Sequence, residues 1–312
     1  MTADAVALVP TDLKVPKKTY LFGYPISHSL APLSHNTLFA DLGIPWTYEL
    51  LESTNKNDLL EKLKSEDCVG CAVTMPHKIT FIQEIDDVTE EGGEIGAINT
   101  VFKRKNPSTG KIELIGTNTD CIGVRDALLL NFPDILKDST GKPSLVIGCG
   151  GAARSCVYAL WKWFGVSKVY LINRDEDEAL DLIEYLKKTS KGIVLQLVKT
   201  AEEAEALEAA SVIISAVPDR RPVLPTEIVL DNIKKVFLEK PNKGYALEMC
   251  YHPNPATYFF KESKAMGWKV INGVEPMIYQ GIAQQKLWTG LPGSAFNVKH
   301  VAEVLTKRIS EI

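Results

Sequence analysis

Six residues, Gly148-Cys149-Gly150-Gly151-Ala152-Ala153, constrain this chain more than any other stretch of it. They follow the apolar run Ser144-Leu145-Val146-Ile147 and lead into an amphipathic stretch from Ala152 to Phe164, so they occupy a strand-to-helix turn. The spacing is G-x-G-x-x-(G/A), with Ala153 in the third place. Gly148 allows the tight turn, Gly150 lets the backbone approach a pyrophosphate, and Ala153 keeps helix and sheet close. Phosphates would then lie on the unpaired N–H groups at the positive end of the helix, which makes Gly148, Gly150, Gly151 and Ala152 candidate cofactor contacts. Glycines could serve a purely structural turn, but the strand–loop–helix–strand setting favours a dinucleotide site.

The next strand, Lys168 to Ile172, ends in Asn173-Arg174-Asp175, where such units read the ribose. Arg174 suits the 2′-phosphate of NADP as a planar bidentate donor. Asp175 would repel that phosphate and bond a free ribose hydroxyl instead. The two side chains pull in opposite directions, and both also suit a solvated loop. The expectation leans to NAD, with NADP as the alternative.

Around this loop, short β-branched runs alternate with longer helical stretches, the signature of an α/β protein. Strands are expected at 20–23, 48–51, 71–74 and 112–115, then at 144–147, 168–172, 193–198, 212–214, 236–238, 245–249 and 269–271. Helices are expected at 32–42, 56–66, 78–85, 152–164 and 177–188, with two more, 276–288 and 297–309, closing the chain. Asn106 to Gly110 reads as a hairpin turn and Phe132 to Pro143 as a loop. The acidic run Glu202 to Glu208 reads as the solvated face of a helix. Two terminal helices cannot form a core alone, so they are expected to return to the first domain. The expected division is 1–121 plus 274–312 for one domain and 122–273 for the other.

Composition narrows the class. With 35 Lys and Arg against 39 Asp and Glu, the net charge is −4, which excludes a general phosphate-backbone binder, so no nucleic-acid partner is expected. No run approaches the ~20 apolar residues of a membrane span, and Met1 to Lys18 has neither a basic start nor an apolar segment of leader type. A cytoplasmic setting is the expectation. The six cysteines form no disulfide framework. Cys68-Val69-Gly70-Cys71 has half-site spacing but no second CxxC or His pair, so it reads as small residues at a strand start and no metal is expected.

Four polar strings are unlike core or ordinary loop. They are Pro25-Ile26-Ser27-His28-Ser29-Leu30-Ala31-Pro32, Val73-Thr74-Met75-Pro76-His77-Lys78, Gly96-Ala97-Ile98-Asn99-Thr100 and Gly116-Thr117-Asn118-Thr119-Asp120. With the glycine loop, this ordered set resembles the shikimate/quinate dehydrogenase family, whose usual forms are PIxHSxSPxxHN, NVTxPxK, GAxNT, GxNTDxxG and GxGGxA. His35-Asn36 and Gly123 fall in register. Glu248 to Tyr251 with Pro253 resembles the family's DxxYxP region, and Gly273 to Gln280 followed by Trp288-Thr289-Gly290 its GxxMLxxQ…WxG ending.

The resemblance implies an N-terminal α/β substrate domain completed by the C-terminal helices, and a Rossmann-type doubly wound cofactor domain. It implies an NAD(P)-dependent oxidoreductase acting on a ring hydroxyl of a quinate- or shikimate-type acid. Lys78 and Asp120 match the catalytic pair, Lys78 for proton transfer and Asp120 for its orientation. Ser29 would bind the carboxylate, Thr74, Asn99 and Gln280 the ring hydroxyls, and Tyr251 would approach from the second domain. Gly273 joins the cofactor contacts. His28 and His77 are read as structural. A lysine in open water is protonated at neutral pH and is a poor base; enclosure and a neighbouring carboxylate act on it in opposite senses, and the sequence leaves that balance open.

Three departures bear on the substrate. Ala31 replaces the second serine of Ser-x-Ser, Ala72 replaces the asparagine of NVT, and Glu275-Pro276 stands where a Gly-Met pair is usual. Methyl in place of hydroxyl and amide would open space beside the ring, which favours quinate with its extra hydroxyl. An NADP-linked shikimate enzyme or a paralogue for a related acid is the alternative, and a non-catalytic metabolite sensor is the alternative of another class.

Overall fold

The computed structural model describes residues 9 and 11–311, so the leader-free reading of the N-terminus falls largely outside the described residues. The chain divides into two compact units, one running to Gly123 and resuming at Met277, the other from Val124 to Pro276.

The first unit holds a six-stranded sheet of β1 (Lys18–Gly23), β2 (Thr47–Glu52), β3 (Cys68–Val73), β4 (Asp87–Val88), β5 (Thr100–Lys105) and β6 (Ile112–Thr117), in the order β2-β1-β3-β5-β6-β4. β5 runs antiparallel to both its neighbours, and the other pairings are parallel. Alternation along β1 serves two cores: Tyr20 and Phe22 pack with Leu59, Leu63 and Phe81, while Leu21 packs with Phe39, Trp46 and Trp288. β5 went unread because its second half is Lys103-Arg104-Lys105. Those residues extend beyond β3 and pair with β6 alone, where Arg104 Nη2 donates to Glu113 Oε2 at 2.6 Å. Residues 106–110 make the expected hairpin, closed by Asn106 N donating to Lys111 O at 2.8 Å. The helix expected at 78–85 is instead a 3-10 turn over Thr80–Glu84. The closing helices, Val274–Thr289 and Val298–Ser310, bring the chain back to this unit. The second lies on helix Ala31–Asp41, where His300 Nδ1 meets Asp41 Oδ1 at 2.9 Å.

The second unit holds β7 (Ser144–Ile147), β8 (Val169–Ile172), β9 (Leu195–Leu197), β10 (Val212–Ser215), β11 (Tyr245–Glu248) and β12 (Lys269–Ile271). The sheet is wholly parallel in the order β9-β8-β7-β10-β11-β12, the Rossmann-type order whose chain reversal lies between β7 and β10. Residues 236–238, expected as a strand, belong to helix Pro225–Glu239. Pro225 opens that helix at its first turn, and Ile233 and Phe237, four residues apart, pack with Leu145, Tyr170 and Phe259. The loop expected at 132–143 contains a short helix, Ile135–Ser139.

Candidate active site

In the first unit, three crossings of the sheet converge at the carboxyl end of β3. Asn99, just ahead of β5, donates its backbone N–H to Thr117 O at 3.1 Å, and its carbonyl accepts from Val73 N at 2.8 Å, which pins it between β6 and β3. Lys78 follows the turn after β3, and its carbonyl accepts from Ile98 N at 2.7 Å. Asp120 is the first residue of helix Asp120–Asn131, which Asn118 starts by accepting from Cys121 N at 3.2 Å and donating to Ala97 O at 2.9 Å.

These anchors bring Lys78 and Asp120 into contact across 42 residues. Lys78 Nζ lies 2.5 Å from Asp120 Oδ2, and the side chains are 17% and 12% exposed, so water screens the pair weakly. The other carboxylate oxygen, Oδ1, accepts from Asn99 Nδ2 at 2.8 Å. Asn99 Nδ2 also reaches Gln280 Oε1 at 3.2 Å and Thr119 Oγ1 at 2.9 Å. Four of the expected residues, Lys78, Asp120, Asn99 and Gln280, thus form one hydrogen-bonded cluster. It can hold an acidic and a basic group beside a small polyol.

Other expected residues stand apart from this cluster. Ser29, partly exposed, accepts from Ala31 N at 3.2 Å at the head of helix Ala31–Asp41. Thr74 continues the ladder beyond β3, its N–H bonding Phe22 O at 2.9 Å and its carbonyl accepting from His77 N at 2.9 Å. His77 is buried and stacked on Phe22 at 4.5 Å, and burial pushes its proton affinity down, so it is packing rather than chemistry. His28 is exposed. Ala31 and Ala72 lie in one apolar cluster with Leu21, Phe39 and Leu287, so their methyl groups serve the core.

Sequence reasoning missed Thr119, Thr100 and Gln284. Thr119 N donates to Asn99 Oδ1 at 2.7 Å, Thr100 Oγ1 donates to the same oxygen at 2.8 Å, and Gln284 Nε2 donates to Thr100 Oγ1 at 2.9 Å. The signals available were the threonines inside the Asn-Thr and Asn-Thr-Asp strings, and the four-residue step from Gln280 to Gln284.

In the second unit, the glycine loop leaves β7 where the strand order reverses. Gly148 has φ +102°, and a Cβ there would lie 2.9 Å from Val217 Cγ1 and 3.1 Å from Ala216 O. Gly150 caps helix Gly151–Phe164 without any side-chain bond, and a Cβ on it would meet nothing nearer than Glu178 Oε1 at 3.6 Å. Open first-turn N–H groups beside a clear backbone surface fit a dinucleotide's phosphates. Beyond β8, Asp175 Oδ1 accepts from Glu178 N at 3.1 Å and caps helix Glu176–Thr189, while Asn173 Nδ2 donates to Glu178 Oε2 at 2.8 Å. Arg174 is exposed. A Cβ on Gly273 would come within 2.3 Å of Met249 O, so that position admits glycine alone without movement. Tyr251 follows β11 in a loop tied back by Glu248, whose Oε1 accepts from Cys250 N at 2.9 Å and whose Oε2 accepts from Thr257 Oγ1 at 2.7 Å. Burial raises the Glu248 carboxyl to about 7, against the pull of those donors.

Cys68 and Cys71 are free, buried thiols, and burial pushes both up. Among the described residues, no cluster of His, Cys, Asp and Glu could hold a metal, and no helix is long and apolar enough to cross a membrane.

Comparison with known proteins identifies the family. The family model described as the shikimate dehydrogenase substrate binding domain matches residues 21–101. Quinate dehydrogenase of Emericella nidulans is 38% identical, over 90% of this chain and 90% of its own length. The pentafunctional AROM polypeptide of Schizosaccharomyces japonicus is 34% identical over 88% of this chain, which spans 17% of that much longer protein. The solved structure of shikimate 5-dehydrogenase from Thermus thermophilus, in complex with NADP(H) and shikimate, is 29% identical with a TM-score of 0.71, covering 93% of this chain and 99% of that one. Identity at this level along nearly the whole of a curated relative has one meaning: the chain belongs to the shikimate/quinate dehydrogenase family.

Proposed function

We propose that the protein is an NAD(P)-dependent oxidoreductase that reversibly oxidises a ring hydroxyl of a quinate- or shikimate-type cyclic acid, with quinate and NAD as its preferred pair. The observation that carries this reading is the 2.5 Å contact of Lys78 Nζ with Asp120 Oδ2, its carboxylate turned by Asn99 on the other oxygen. In alcohol oxidation the substrate loses a hydroxyl proton and a hydride. Lys78, as the free amine, takes the proton at Nζ. Asp120 holds that amine in place and accepts from a ring hydroxyl. Asn99, Gln280 and Thr74 orient the ring, Ser29 receives the carboxylate, and Tyr251 is a further substrate contact. In this reading the first unit is the substrate domain and the second the cofactor domain. Gly148, Gly150, Gly151 and Ala152 would cradle the pyrophosphate, with Asn173, Arg174 and Asp175 at the ribose and Gly273 on the nicotinamide side. The bound nicotinamide supplies the hydride acceptor.

Preference for NAD rests on charge. Asp175 opens a helix whose first turn also carries Glu176, Asp177 and Glu178, and four carboxylates there oppose a 2′-phosphate. One observation favours NADP instead: after the backbone N–H groups of Val223 and Leu224, the charges of Arg174 and Arg220 help hold Glu227 below the usual carboxylate range, so a second guanidinium besides Arg174 acts on that carboxylate. The quinate preference is supported by the E. nidulans relative; Ala31 and Ala72, expected to open space beside the ring, are buried in the core and lend it no support.

Initial rates with quinate and shikimate, each with NAD and NADP, test the proposal. Quinate with NAD should give the highest kcat/KM; a clear preference for shikimate with NADP reverses the assignment. Lys78→Ala should cut kcat by at least about a hundredfold, the scale of general acid–base catalysis, while NAD affinity is retained. A sensor would show no turnover to lose.

A further inference from the structure

We propose that Gln284, acting through Thr100, is a positioning residue for the catalytic cluster: it fixes the Asn99 amide so that its N–H faces Asp120. The inference rests on the reaction read above and adds residues that reading does not use.

Helix Val274–Thr289 sets side chains at steps of four against successive residues of the sheet. Gln280 Oε1 receives Asn99 Nδ2 at 3.2 Å, Gln284 Nε2 donates to Thr100 Oγ1 at 2.9 Å, and Trp288 Nε1 donates to Val101 O at 3.1 Å. Gln284 is 1% exposed and Thr100 fully buried.

The orientation of the Asn99 amide in this chain is determined. A backbone N–H can only donate, so the Asn99 atom 2.7 Å from Thr119 N is the oxygen. The Asn99 NH₂ is therefore the group that meets Asp120 Oδ1 at 2.8 Å. A threonine hydroxyl has one proton. Because Thr100 Oγ1 accepts from Gln284, that proton is directed to Asn99 Oδ1 at 2.8 Å rather than wasted on a second acceptor. Without the Gln284 N–H, the hydroxyl is free to turn toward Thr119 Oγ1 at 3.1 Å, and Asn99 Oδ1 loses a donor. Hydrogen bonds in series polarise one another, so loosening the far end is felt at the carboxylate.

Thr100→Val keeps shape and removes the hydroxyl, Thr100→Ser keeps the hydroxyl, and Gln284→Met keeps length and removes the donor. Two readouts separate positioning from folding. The first is kcat per folded active site with quinate and NAD. Thr100→Val should lose about tenfold, equivalent to ~1.4 kcal/mol of barrier, with KM for NAD unchanged and Thr100→Ser near wild type. Gln284→Met should lose less, and nothing further in the Thr100→Val background, because it acts through that hydroxyl. The second is solvent exchange of the Asn99 side-chain amide protons, followed by NMR in the ligand-free protein, which should quicken in Thr100→Val and Gln284→Met. Unchanged kcat and unchanged exchange overturn the inference, as do losses that add fully in the double variant. Turnover of neither acid by the wild-type protein sinks the reaction assignment instead, and the exchange measurement still decides whether the chain of bonds orients Asn99.

Discussion

His35 and Glu248 are buried titratable side chains whose burial acts on stability in opposite senses. His35 stacks on Tyr48 at 4.2 Å, its Nδ1 is 2.9 Å from Gln285 Nε2, and burial pushes it down to about 3. Between about pH 3 and its ordinary value of 6.5, the unfolded chain binds a proton there that the folded protein does not, so stability rises with pH. Glu248 is the reverse. With its folded value raised from 4.5 to about 7, the folded protein holds the extra proton, so its contribution is full below pH 4.5 and is lost as pH rises to 7. The two trends oppose each other between about pH 4.5 and 6.5. Comparing wild type with Glu248→Gln isolates one of them. Urea midpoints at pH 5, 6, 7 and 8 should show the variant gaining on the wild type up to pH 7 and then holding level, by at most about 3 kcal/mol at ~1.36 kcal/mol per unit. A difference that does not move with pH would remove burial of the charged carboxylate as the cause. Lys78 and Asp120 could be picked out from their polar strings. Thr100, Thr119 and Gln284 could not, because which hydroxyl meets which amide depends on the register of β5 against a helix some 180 residues later.

At the scale of elements, the Cys-Val-Gly-Cys run shows what local reading can and cannot supply. Its small residues suit a buried strand, and β3 is buried at every position. What the sequence does not reveal is why the third residue is glycine. The Trp288 indole crosses β3 to donate to Val101 O, and a Cβ on residue 70 would lie 2.4 Å from both Trp288 Nε1 and Val101 O. Gly70→Ala should therefore destabilise by about 1–3 kcal/mol, the usual cost of overpacking, measured as a lower urea midpoint at constant m. Gly93→Ala is the control. Its Cβ would meet nothing closer than Val88 Cγ2 at 3.5 Å inside helix Glu90–Ile95, so it should be neutral or mildly stabilising. Equal losses in both variants would mean that glycine flexibility, not the indole, sets the requirement. The same tension between local and distant information explains the misread segments. Val236-Phe237-Leu238 is a short apolar run like a strand, yet its spacing from Ile233 and its place after Pro225 make it the end of a helix. β5 is the converse, a central strand disguised by three cations that overhang its neighbour.

Across the whole molecule, the parallel sheet of the second unit was legible because each of its six strands is marked by an apolar run of residues adjacent in sequence, although one of its helices was misread as a seventh strand. The first unit was harder: its mixed sheet is closed by β5, and its site is completed by Gln280 from the chain's far end. This difference gives a prediction about where ligands act. Ligand that binds the native state alone stabilises the amides that must open to release it, by about 2.7 kcal/mol at a hundred times Kd, or close to a hundredfold slower exchange. NAD alone should slow hydrogen exchange in peptides covering 148–153 and 173–176 of the second unit. Adding quinate to the NAD-saturated Lys78→Ala variant, in which turnover should be at least about a hundredfold slower, should extend the protection to peptides covering 99–100, 118–121 and 280–284 of the first. Those segments meet in one cluster although they are scattered along the chain, so they should respond together and with one dependence on quinate concentration. Protection by quinate that spares them would detach the acid from the Lys78–Asp120 cluster, and protection by NAD that spares 148–153 would detach the cofactor from the glycine loop.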